Sequence, residues 1–249
     1  MKPMGPLRLG VQYILSVVFI VQMYVAMAVI GVLFLPWALL TPRGAYAACH
    51  SYCRWVFWTA RVLVGLRTEV RGTPPTDAVL VAAKHQSFLD ILMIFAAMPR
   101  GRFIMKKEIL WMPVIGQYGR RIGCVAVDRG KRGQAIKKML ADIASGTQEG
   151  GQLIIYAQGT RVPPGEKRPY KIGTGAIYQD TKQDCVPVAT NVGVLWPRRS
   201  LLRLPGVAVV EFLPRIPAGK PIDTFMAELE AAVETRSDAL MAEAGFTKA

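Results

Sequence analysis

Residues 9–40 carry no charged side chain, and Arg8 and Arg43 bracket them. One bilayer crossing takes about 20 apolar residues. This run is longer, roughly 48 Å if helical throughout. Two arrangements suit it: one tilted or kinked helix with Pro36 near its end, or a hairpin that dips into the bilayer and returns. Lys2 and Arg8 precede the run, while Arg43, Arg54, Arg61, Arg67 and Arg71 follow it. By the positive-inside rule a single span turns the heavier positive side toward the cytoplasm, and a hairpin leaves both ends there. Both arrangements predict an inner-membrane protein whose main domain lies on the cytoplasmic face. Ala45-Tyr-Ala47 resembles a signal-peptidase site, but the apolar run is too long for a signal core and Arg43 interrupts it, so no cleavage is expected.

The chain has 249 residues, a net charge of +14 and 52% hydrophobic residues. Its mean hydropathy is +0.28. Such a charge suits anionic partners: nucleic acid, an anionic membrane surface, phosphorylated substrates or an acidic carrier protein. Nucleic acid is not expected, because zinc spacing, an aromatic RNA-binding signature and an isolated basic helix are all missing. The four cysteines, Cys49, Cys53, Cys124 and Cys185, show no disulfide framework. Cys49, His50 and Cys53 fit one helical face as metal ligands or as free apolar thiols; with no second cluster, no metal site is expected. Residues 46–66 mix Trp55, Phe57 and Trp58 with Arg54 and Arg61. That pattern reads as an interfacial helix or as a helix packed on the domain.

From Leu66 the pattern alternates. Strands are predicted at 67–70, 79–83, 102–105, 123–127, 153–156, 186–190 and 207–212. Helices are predicted at 88–98, 134–145, 175–182 and 224–242, the last with Asp223 as N-cap. The expectation is an α/β fold, a central, mostly parallel sheet flanked by helices and preceded by a membrane-embedded helix or helical hairpin. Residues 1–65 form the membrane part and 66–249 the α/β domain.

The second strand runs from Ala78 to Ala83 and ends at Lys84-His85. Ser87 reads as a helix N-cap, with Phe88, Leu89, Ile91, Leu92 and Ile94 opening an apolar helix. His85 therefore sits at the carboxyl edge of a buried strand, where open α/β sheets collect ligands. On a continuous helix His85 and Asp90 would lie about 140° apart; a turn at Ser87 lets them meet. Asp90 would then orient the imidazole and leave its other nitrogen as a base. Ser87-x-x-Asp90 equally fits a capping box.

Three more strand ends carry cations. Met105-Lys106-Lys107 follows one strand, and Asp128-Arg129 ends another. Tyr156-Ala-Gln-Gly-Thr-Arg161 adds a flexible Gly159, the Thr160 hydroxyl and the Arg161 fork, all suited to phosphate. No P-loop pattern occurs, so nucleotide hydrolysis is not indicated.

Together these motifs resemble the glycerolipid acyltransferases with a His-x-x-x-x-Asp motif, in particular the bacterial 1-acyl-sn-glycerol-3-phosphate acyltransferases. His85 to Asp90 is similar to the first block, and Lys106 to Pro113 with Gly116 to the second. Gly123 to Arg129 is similar to the strand that follows it. Tyr156 to Arg161 resembles a Phe-Pro-Glu-Gly-Thr-Arg block. Tyr170 to Gly173, Val186 to Val188 and Asn191 to Arg199 resemble the closing blocks. The chain departs from the pattern at Ala157 and at Gln158, where Glu is usual. Gln158 keeps hydrogen bonding but cannot act as a base; the expectation is that it positions Arg161 or a glycerol hydroxyl.

The resemblance implies acyl transfer from acyl-CoA or acyl carrier protein to the 2-hydroxyl of lysophosphatidate, with no cofactor. It assigns His85 as base and Asp90 as its orienter. Lys106, Gly159, Thr160 and Arg161 would hold the phosphate, supported by Gln158 and Arg129. Ser87 is left as a cap rather than an acyl carrier.

Overall fold

In this computed structural model the described residues are 4–127 and 150–247, with isolated helical positions at 134, 137 and 141. The expected helix over 134–145 otherwise lies outside them, as does Arg129.

The uncharged run is not one helix. Helix α1 spans Pro6–Leu33 and ends at Phe34; α2, Leu35–Leu40, is a short piece containing Pro36. Thr41 caps α3, Pro42–Thr59, accepting from the Gly44 N–H, and a π-helical turn at Ala60–Val64 ends on left-handed Gly65. Helix α3 returns antiparallel along α1. Gln12 donates to Val64 O at 3.0 Å, and Gln22 bridges Thr59 Oγ1 at 3.0 Å and the Trp55 indole N–H at 2.8 Å. A hairpin therefore forms, but its second arm is α3, beyond the uncharged run.

Among the described residues seven strands follow: β1 Leu66–Arg71, β2 Leu80–Ala83, β3 Gly101–Lys106, β4 Val125–Val127, β5 Gln152–Tyr156, β6 Cys185–Thr190 and β7 Gly206–Phe212. They form one sheet in the order β1-β7-β6-β2-β5-β3-β4. Every pair is parallel except β6 with β7. Central β2 is buried at all four positions, as expected of a strand covered on both faces. Its side chains alternate between two cores. Val81 and Ala83 face α1, α3 and α4 (Leu89–Ala96). Leu80 and Ala82 face α6 (Gly173–Thr181) and α8 (Ile222–Glu243). Two short helices, α5 (Ile115–Arg121) and α7 (Val192–Leu195), were not anticipated. Helix α8 begins after Pro221, so Asp223 lies in its first turn rather than capping it.

Helix α1 lies along the first core. Phe19 is fully buried and meets Trp196 edge-on at 5.4 Å. Ser16 Oγ accepts from Arg203 N at 2.9 Å, and Tyr118 donates to Gly31 O at 2.6 Å. Its other face leaves Val11, Ile14, Val21, Val25 and Val32 exposed. Helix α3 likewise buries Cys53 and Val56 and exposes Trp55 and Trp58. The packed-helix reading of that segment therefore holds, and its outer face is aromatic.

Candidate active site

The chain leaves β2 at Ala83, and the Lys84 N–H still bonds to Val188 O at 3.0 Å. The turn that follows is built on Asp90. Its Oδ2 accepts from the backbone N–H groups of Gln86 and Ser87, both at 2.7 Å. Its Oδ1 lies 2.7 Å from His85 Nδ1. One carboxylate oxygen thus ties the turn ahead of the helix and the other meets the imidazole, while the capping box itself does not form, because Phe88 and not Ser87 is the N-cap and no side chain caps it. Asp90 is fully buried in the first turn of α4, where the helix dipole favours an anion. Helix α4 starts at Leu89 with Phe88 as N-cap, so Ser87 sits one residue earlier than expected; its Oγ accepts from Leu89 N at 3.0 Å.

With Nδ1 donating to a carboxylate that can only accept, Nε2 presents the lone pair of a base. The imidazole is held on one face by Tyr156, ring centroids 3.9 Å apart and 17° from parallel. Burial, and then the charge on Asp90, push the Tyr156 phenol well above its ordinary pKa of 10.0. The Tyr156 hydroxyl feels that carboxylate without a hydrogen bond of good geometry. Sequence reasoning missed Tyr156, although it heads a motif singled out for its cations.

The loop after β5 packs beside this turn. Val162 N donates to His85 O at 2.7 Å, and left-handed Gly159, φ 67°, turns the chain sharply. Gly159, Thr160 and Arg161 line the same cavity as His85, together with Lys171 and Arg198. Arg198 donates to Arg161 O at 3.4 Å. Lys171 and Arg198 had been noted only as parts of closing blocks. Lys106 ends β3, with its side chain outside the described residues. Gln158 does not face this cavity and makes no hydrogen bond to Arg161. It is 2% exposed, and its amide donates to Arg168 O at 3.2 Å on the α8 side of the sheet. The expectation that it positions Arg161 or a glycerol hydroxyl is therefore corrected.

The cavity holds about 780 Å³, within the range of small-molecule sites. Away from its cations it is walled by Met23 and Met27 of α1, Phe95 of α4, and Phe103, Ile109 and Tyr118. His85 stands at the junction, stacked on Tyr156 toward Phe103 and tied by its backbone to the segment after Arg161. The His85 imidazole, the cations Arg161, Lys171 and Arg198, and an apolar wall thus share one space. Cys49 and Cys53 are free thiols, and among the described residues no group of three or more His, Cys, Asp or Glu gathers to hold a metal.

A family model described as Acyltransferase matches residues 67–191, half of the chain. The chain belongs to the Acyltransferase family. This acyltransferase is 27% identical over 237 residues to the 1-acyl-sn-glycerol-3-phosphate acyltransferase of Pseudomonas aeruginosa, spanning 94% of this chain and 92% of that one. It is 28% identical over 213 residues to the enzyme of that name from Cocos nucifera, covering 82% of this chain and 68% of the other. The crystal structure of the 1-acyl-sn-glycerophosphate (LPA) acyltransferase from Thermotoga maritima superposes with a TM-score of 0.76 at 20% identity, covering 92% of this acyltransferase and 95% of that chain. That last likeness concerns the fold.

Proposed function

We propose that this acyltransferase moves a fatty acyl group from a thioester, acyl-CoA or acyl carrier protein, to the 2-hydroxyl of 1-acyl-sn-glycerol-3-phosphate, giving phosphatidate. The observation that carries the reading is His85, paired to Asp90 at 2.7 Å, in a cavity lined both by apolar side chains and by Arg161, Lys171 and Arg198. His85 Nε2 removes the hydroxyl proton as the oxygen attacks the thioester carbonyl. When the tetrahedral intermediate collapses, the C–S bond breaks and the imidazolium returns the proton to the leaving thiolate. Asp90 steadies the imidazolium. Such proton transfer contributes about 10²–10⁴-fold. Arg161, Thr160 and Gly159, with Lys106, hold the acceptor phosphate, and Lys171 and Arg198 add charge at the same rim. Fixing the hydroxyl near the base contributes several kcal/mol in reactions of this kind, about 7 at least when alignment is good.

The exposed side of α1 and the aromatic face of α3 lie in one leaflet, by this reading the cytoplasmic leaflet of the inner membrane. Support comes from the apolar outer surface of α1, where Val11, Ile14, Val21 and Val25 are exposed, and from the +14 net charge, which suits anionic headgroups.

The test is turnover of purified protein in detergent micelles, with lysophosphatidate as acceptor and acyl-CoA or acyl carrier protein as donor. His85→Ala is expected to abolish turnover while leaving vesicle binding intact, and Arg161→Ala to raise the acceptor KM. Activity surviving His85→Ala removes the base assignment, and an unchanged KM in Arg161→Ala removes the phosphate assignment.

A further inference from the structure

We infer that Glu234, on the C-terminal helix, is a positioning residue that sets the spacing between the loop carrying His85 and the loop carrying Arg161. The inference rests on the acyl-transfer reading above. Neighbouring residues in extended chain point to opposite faces of a sheet. His85 faces the cavity, so Lys84 faces α8. Lys84 is 1% exposed, and its ammonium meets both Glu234 oxygens, at 2.7 and 2.6 Å. Glu234 Oε1 also accepts from the Tyr170 hydroxyl at 3.0 Å and lies 3.5 Å from Gln158 Nε2. Each partner adjoins a cavity residue: Lys84 precedes His85, Gln158 precedes Gly159, and Tyr170 precedes Lys171. One carboxylate beneath the sheet therefore ties together three segments that build the polar end of the site above it.

A buried ion pair contributes little net stability, and a well-packed apolar pair can replace it at no loss. What an apolar pair cannot supply is the shared hydrogen-bonded anchor that keeps the three segments in register. Gln158 sharpens the argument. Its Oε1 is buried with no hydrogen bond, and its Nε2 lies 3.5 Å from Glu234 Oε1. A carboxylate at position 158 would therefore stand beside the anion that holds Lys84.

The experiment compares wild type with E234Q, K84M/E234L and Q158E/E234Q, measuring thermal unfolding and steady-state turnover of lysophosphatidate with acyl-CoA. E234Q alone leaves the Lys84 ammonium without its anion, so the double variants decide. K84M/E234L is expected to unfold near the wild-type temperature, yet to show kcat lowered by ~10²-fold with a raised acceptor KM, the scale of a small misplacement of reacting groups. Q158E/E234Q is expected to recover most of the rate that E234Q loses. Wild-type kcat and KM in K84M/E234L would overturn the inference, leaving the pair a merely structural role. Absence of wild-type turnover with either donor strikes the acyl-transfer reading itself, so the two failures are told apart.

Discussion

Asp90 shows how much one side chain settles at this site. Asparagine offers one acceptor oxygen and one donor group. If its oxygen faces the Gln86 and Ser87 N–H groups, its amide opposes the His85 Nδ1 proton and forces the other tautomer. If it flips, the amide opposes the two backbone donors. Asp90→Asn is therefore expected to lower kcat by ~10³-fold, with stability down by about 1 kcal/mol from the weakened cap. Turnover and thermal unfolding read the two effects separately; a full-rate Asp90→Asn would show that the tautomer does not matter. Tyr156 divides along another line. Tyr156→Phe keeps the stack on His85 and is expected to hold kcat within about threefold, while Tyr156→Ala strips the support and opens a cavity worth about 3 kcal/mol. The raised Tyr156 pKa also has a sign: the fold prefers the protonated phenol, so the stabilisation is complete below pH 10.0 and is lost as pH rises toward the folded value. The alkaline limb of a pH–stability curve should be shallower for Tyr156→Phe than for wild type. The meeting of His85 with Asp90 was legible, because strand, turn and apolar helix follow one another within a dozen residues. Tyr156 was not, because a stack between two strand ends depends on which strands are neighbours, and no local pattern encodes strand order.

Among the elements, each of the seven strands was anticipated, most as short apolar runs closed by a turn or a charge, while β1 alternates polar and apolar residues. The helix boundaries were less readable. Ser87 and Asp223 are good capping residues by type, yet α4 and α8 begin elsewhere, since Asp90 holds Ser87 in the turn ahead of the first helix and Pro221 sets the second start. Helices α5 and α7 are too short to show a period. The break at Phe34 falls just before Pro36, which cannot donate to the helix ladder and starts α2, so it was legible; what sequence does not reveal is how closely Gly31 meets the segment before α5. A Cβ built on Gly31 would stand 2.7 Å from Val114 Cγ1. Gly31→Val is expected to cost about 1–3 kcal/mol by overpacking and to weaken the Tyr118 bond to Gly31 O. The check is the melting temperature beside that of Gly10→Val, a site on the same helix with open space around it; equal losses would mean that the close approach is unimportant.

For the whole molecule, the docking of α1 along the domain supports the proposal that α1 and α3 lie in one leaflet rather than crossing it. Contacts at Gln12, Ser16, Phe19 and Gly31 hold it against the sheet domain for most of its extent. Cysteines introduced at Gly5 and Leu40 in a cysteine-free background should react with an impermeant reagent from the same side of a sealed vesicle. Labelling from opposite sides would restore a transmembrane span. Binding to anionic vesicles should weaken with salt, as charge attraction is screened, yet persist above that of a variant with Val21 and Val25 made Asp, because apolar insertion does not depend on ionic strength.

Met23 and Met27 place α1 in the wall of the reaction chamber while its opposite face is apolar and uncovered. On the leaflet reading proposed above, the helix that would fasten the enzyme to the membrane would also be its doorway: a greasy substrate would slip sideways past it, keeping its tail in oil for the whole trip and lending only its polar head to the chemistry.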